Sequence, residues 1–297
     1  MARAQRMLLW QVWERMLEIE FVDRSVALAG KAFVSFFPLV IVVAAFMPAS
    51  IRTSIFSTIT NRLGVRGEAL TTAKQAFASS DDVRRATGYL GLLLTFFFAS
   101  SFTTALQRVY LKAWRRPDGG KAGAYTRGPA WLVVILAYLA LLGGLRGLFA
   151  DGPFFVVFLV ISLAVTTSMW WFTAWFLLRG EVRWRVLAPS GLITGVAVSG
   201  YAVAAAFWMP DVVTRNEAQF GFFGVALALV TWFSGLATCI LVGACAGPVL
   251  AEDRGPVGAF IRGGGDAGVL IEGAPAALAG PERELRLRDA FTPIAEP

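Results

Sequence analysis

The 297-residue chain contains no histidine. That absence excludes a Ser-His-Asp triad, a His-Glu-x-x-His zinc site and a metal nuclease centre built on imidazole. Cysteine is almost as scarce. Cys239 and Cys245 are the only two and share one apolar run, so neither a disulfide framework nor a thiolate metal site is expected, and both read as small packing residues. A phosphate loop is missing as well, because Gly119-Gly120-Lys121 is followed by Ala122 instead of Ser or Thr and follows no strand. Asp81-Asp82 has no third acidic ligand close by and suits a helix N-cap or a solvated turn. The expectation is a protein that is not an enzyme, with no catalytic residue, no cofactor and no metal.

Charge is also sparse. Charged residues make up 16% of the chain against 57% hydrophobic ones, and mean hydropathy is +0.63. Six stretches hold no charge at all: Ala32 to Ile51, Gly88 to Gln107, Gly128 to Leu145, Gly152 to Leu178, Val186 to Pro210 and Ala218 to Ala251. The shortest has 18 residues and the longest 34, and about 20 apolar residues in a helix cross a hydrocarbon core of about 30 Å. The expected fold is therefore all-α, a polytopic membrane protein with a bundle of six transmembrane helices. Secretory processing is not expected, since the first apolar run follows a charged amphipathic segment and lacks a short h-region with a small-residue cleavage site.

Lys and Arg stay on the cytoplasmic side of a membrane. With six crossings the two termini, the second loop and the fourth loop share one side and carry 19 of these residues, against 8 for the other loops. Both termini are therefore expected in the cytoplasm. Residues 1–31 read as an amphipathic interfacial helix, with Leu9, Val12, Trp13, Met16 and Leu17 at helical spacing. Residues 32–251 form the six-span domain. Within it, Arg52 to Thr87 reads as an extracytoplasmic helical hairpin, with Ile51, Ile55, Ile59 and Leu63 stepping by four. Residues 252–297 are a Gly-, Pro- and Ala-rich cytoplasmic tail with no sustained period, expected to be disordered.

Inside the spans, small residues recur at helical spacing. Gly191, Gly195 and Ser199 step by four in the fifth run, Gly224, Ala228, Thr231 and Gly235 follow in the last, and Gly143 with Gly147 closes the third. Such spacing lets backbones approach in a bilayer, either as a mobile seam or, the favoured reading, as a tight internal interface. Pro38 offers a kink in the first span. No Asp, Glu, Lys or Arg falls within the runs. Lys31, Arg108 and Arg146 stand at their edges, where they can snorkel or hold a lipid phosphate. The basic cluster Lys112, Arg115, Arg116, Lys121 and Arg127 sits in a loop between spans, so anionic headgroups rather than nucleic acid are its expected partners.

Several segments carry a family likeness. Leu28-Ala29 and Ser35-Phe36-Phe37-Pro38-Leu39, then Ala105-Leu106-Gln107 with Tyr110 and Trp114-Arg115-Arg116, then Phe220-Gly221-Phe222-Phe223-Gly224 and Leu241-Val242-Gly243-Ala244, occur in order at the expected spans. Together they resemble the YihY/virulence factor BrkB family of bacterial inner-membrane proteins. The resemblance implies six transmembrane helices and cytoplasmic termini. Gly30-Lys31 stands where that family usually has two aromatics, and Cys245 and Gly247 stand where it often has Glu and Asn. Its former ribonuclease BN label does not suit a chain without histidine or clustered carboxylates. Two functions remain open: uncoupled translocation of a lipid or amphipathic solute, or a structural, envelope-organising role exercised through protein partners or a homo-oligomer.

Overall fold

Long uncharged runs leave the backbone no hydrogen-bond partner but itself, and in such a sequence the solution is the helix. The computed structural model describes residues 2–46, 81–117, 122–149, 155–253 and 255–263, and among them there is no strand. The helices are α1 (Ala2–Glu18), α2 (Phe21–Phe46), α3 (Asp81–Ala113), α4 (Ala122–Phe149), α5 (Phe155–Leu177), α6 (Ala188–Phe220), α7 (Phe222–Glu252) and the short α8 (Pro256–Arg262). A 3₁₀ turn, Trp184–Leu187, leads into α6. Five segments are long and apolar enough to cross a membrane: Gly91–Ala113, Arg127–Leu148, Phe155–Leu177, Trp184–Phe220 and Phe223–Glu252. The remaining expected span, Ala32 to Ile51, begins within α2, and its residues 47–51 lie outside the described ones.

The breaks between helices have local causes. The N-terminal segment does not run unbroken to Lys31, because Glu20 takes a positive φ of 56° and the Arg24 Nε donates to the Ile19 carbonyl, so α1 stops and α2 restarts at Phe21. The 34-residue apolar run is divided in the same way. Gly221, at φ 58°, turns the chain between α6 and α7 in a conformation that side chains resist, and the two helices return as a hairpin. Residues 81–87, assigned to the hairpin by sequence, form the first turns of α3, while 52–80 lie outside the described residues. The tail beyond 263 does too, but its first part is ordered. Pro256 starts α8, Gly263 ends it in the left-handed region, and Arg262 Nη1 donates to the carbonyls of Ala251 and Asp253 at the end of α7.

One end of the bundle gathers α1, the C-terminal ends of α3, α5 and α7, the start of α6, and α8. Buried Arg15 holds this α1 end together, donating from Nη1 to the Ala113 carbonyl at 2.6 Å and pairing through Nη2 with Glu252 at 2.7 Å. Around it Leu106, Tyr110, Leu177, Leu187 and Leu241 are fully buried. Outward-facing positions are apolar in turn: Phe97, Val156, Val160 and Phe207 are all exposed, as suits a surface solvated by hydrocarbon. On α1, Leu9, Trp10, Trp13 and Leu17 are likewise exposed while Arg15 faces the bundle, the pattern of a helix lying along an interface.

Candidate functional site

Helices α2 to α7 each turn one stripe toward a common space. From α2 come Ala32, Ser35, Phe36 and Leu39, from α3 Thr95, Ala99 and Phe102, and from α4 Trp131, Ile135 and Tyr138, all at helical spacing. Trp170 of α5, Val198 and Tyr201 of α6, and Trp232, Phe233, Leu236 and Ile240 of α7 complete it. The space is an apolar cavity of about 230 Å³, and among the described residues no charged side chain lines it. An apolar cavity of about 150 Å³ already accommodates benzene.

Its walls are aromatic, with most polar tips tied back into protein. Trp131 Nε1 donates to Thr173 Oγ1 at 3.2 Å, Tyr138 and Thr166 share a hydrogen bond of 3.0 Å, and Tyr201 donates to the Trp232 carbonyl at 3.0 Å. The Phe36 and Phe233 rings meet edge to face at 5.8 Å, and those of Phe102 and Trp131 lie 5.5 Å apart. Thr95 Oγ1 and Trp232 Nε1 differ from these, since both are buried with no hydrogen-bond partner.

At one end of the cavity stands Lys31. It precedes Ser35 and Leu39 by one and two turns on the same α2 stripe, and Ser35 Oγ donates to its carbonyl at 2.7 Å. Two contacts eleven residues apart on both helices set the antiparallel register of α2 and α3: Glu20 pairs with Lys112 at 3.3 Å, and Lys31 Nζ lies 3.5 Å from the Ser101 carbonyl oxygen. Lys112 beside Glu20 holds that carboxyl below its usual range, which marks the first contact as an ionised pair. Eleven helical residues rise about 16 Å, so Lys31, half-buried, is level with the middle of the Gly91–Ala113 segment. By sequence it stands at the edge of an apolar run. The difference arises because α2 begins at Phe21 and its partner α3 continues to Ala113, so the paired helices extend beyond Lys31 toward the α1 end.

The three edge cations do not form one cluster. Arg108 is exposed, about 10 Å nearer the α1 end than Ser101, and its charge acts on Lys31. Arg146 is exposed near the end of α4, at the opposite end of the bundle. Pro38 is buried within α2, which continues helical through it.

The small residues bring the helices around the cavity together. A Cβ on Gly191 would lie 2.6 Å from the Trp171 Cα, and one on Gly195 2.6 Å from the Thr167 Cα, so α5 and α6 touch backbone to backbone there. Gly224 abuts the Asn216 carbonyl and Gly235 the Tyr201 ring, whereas Ser199 is partly exposed. Gly147 meets nothing within 4 Å and takes no part in a seam. Sequence reasoning missed Gly243 and Gly247, which press on Thr194 and Ser190 from α7, and Gly128, which presses on Ser100. It missed the aromatic lining too. The available signal was Trp232, placed far inside its apolar run although tryptophan favours the membrane interface.

No curated protein and no solved structure matches the chain significantly. The family model described as Virulence factor BrkB matches residues 12–258, nearly the whole of the bundle built above, and the chain belongs to that family.

Proposed function

We propose that the protein binds an anionic lipid in this cavity and provides a path for it between the two leaflets of the cell membrane, with the α1 end and both termini on the cytoplasmic side. The observation that carries this reading is Lys31 at mid-span beside an apolar space. A cation at that depth costs about 3 kcal/mol, and its neighbours here are a backbone carbonyl and the like charge of Arg108. A lipid phosphate would supply a countercharge while part of an acyl chain occupies the aromatic space. Transporter sites near the midplane follow the same logic. Among the described residues no carboxylate lines the cavity to carry a driving proton, so on this reading movement is passive or driven by a partner. Basic side chains at the α1 end, Arg116 among them, suit anionic headgroups of the cytoplasmic leaflet, whereas Arg115 pairs with Glu18 at 3.0 Å.

The test is reconstitution into vesicles carrying a fluorescent anionic phospholipid, read by dithionite quenching. Exchange well above protein-free vesicles without an imposed gradient is expected. Exchange at the protein-free rate would remove translocation and favour an organising role in the envelope, and a requirement for a pH gradient would contradict the uncoupled mechanism.

A further inference from the structure

Resting on the lipid reading, the chemistry of the cavity wall narrows the lipid class. Thr95 is 1% exposed, and its hydroxyl and the Trp232 indole N–H are buried at the cavity wall without partners. A buried donor left unsatisfied costs about 1–3 kcal/mol. Other polar tips on the same wall, those of Trp131, Tyr138 and Tyr201, are satisfied, and although Ser100 Oγ, Thr103 Oγ1 and Thr167 Oγ1 elsewhere in the bundle are also buried without a partner, they do not line the cavity. They also share a level. Arg15 ties Ala113 of α3 to Glu252 of α7, and both helices run toward it; Thr95 lies 18 residues back along one and Trp232 20 along the other, within about 3 Å in height. Lys31, level with Ser101, is about 9 Å nearer the α1 end.

We infer that Thr95 and Trp232 receive the ester carbonyls of a diacyl glycerophospholipid whose phosphate lies toward Lys31. The ligand needs neutral acceptors, because no charged side chain among the described residues lines the wall, and it needs them a short distance from an anion. A glycerophospholipid carries two ester carbonyls within a few bonds of its phosphate. A polyprenyl phosphate carries none, and would leave both donors unsatisfied.

Full-length protein in detergent, exposed to equimolar diacyl and dialkyl-ether phosphatidylglycerol and examined by native mass spectrometry, separates these cases because the ether lipid lacks only the carbonyls. The ester form should be retained about five- to tenfold more, the worth of one or two neutral hydrogen bonds. Thr95→Val and Trp232→Phe should each reduce that preference, read as the ratio of ester to ether lipid retained by the same sample. Equal retention of the two lipids by the wild type would overturn the ester assignment and leave the anionic-lipid reading intact, as would a preference unaltered in both variants or tighter binding of a polyprenyl phosphate. Retention of no anionic lipid would overturn both.

Discussion

Arg15 and Glu252, 237 residues apart in sequence, meet in an ion pair of 2.7 Å in which the arginine is buried and the carboxylate partly exposed. The pair joins α1 to α7, and the second arm of the guanidinium takes in the end of α3. Removing one member leaves the other worse off than removing both. Glu252→Gln should therefore destabilise the bundle by about 3 kcal/mol, and the double variant Arg15→Met/Glu252→Gln by less, as read from unfolding in a mild detergent. Equal losses in the two would mean that the arginine is held by the Ala113 carbonyl and by Glu18, 3.6 Å from its Nε, without help from Glu252.

Close helix contact predicts opposite responses at two glycines of α6. Gly195 has no room for a methyl group, while a Cβ on Gly200 meets nothing within 4 Å. Gly195→Ala should cost about 1–3 kcal/mol. Gly200→Ala should raise stability by about 0.5–1 kcal/mol through helix propensity. Thermal melts of both variants beside the wild type decide the matter.

Lys31 and Arg146 predict a contrast in lipid movement. Lys31→Met keeps the length of the side chain and removes its charge, and should slow exchange of an anionic phospholipid at least tenfold while altering a zwitterionic one less. Arg146→Ala, at the other end of the bundle, should leave both rates near the wild-type values. A matching fall for the two variants would place the anion away from the cavity.

Orientation is open to direct labelling. Gln219 and Arg183 are both exposed, one beside the α6–α7 turn and the other at the α1 end. In a background with Cys239 and Cys245 replaced by alanine, a cysteine at Gln219 should react with an impermeant reagent on intact cells, and one at Arg183 only after lysis. The reverse result would turn the molecule over in the membrane.

Much of this architecture follows from the chain alone. Runs without charge oblige the backbone to satisfy itself, which makes helices of membrane length, and glycines four apart at 191 and 195 mark where two of them touch. Those are local properties, readable because helical periodicity is local. Depth and enclosure are not. Lys31 stands beside an apolar run in sequence and at mid-span in the bundle, and the difference lies in the register of α2 against α3, set by contacts between residues 70 and more positions apart. The cavity likewise takes a few side chains from each of six helices, so no single segment carries its pattern. Thr95 and Trp232 look like ordinary span residues until packing brings both to one wall, where they are the described lining residues with a buried polar atom left without a partner.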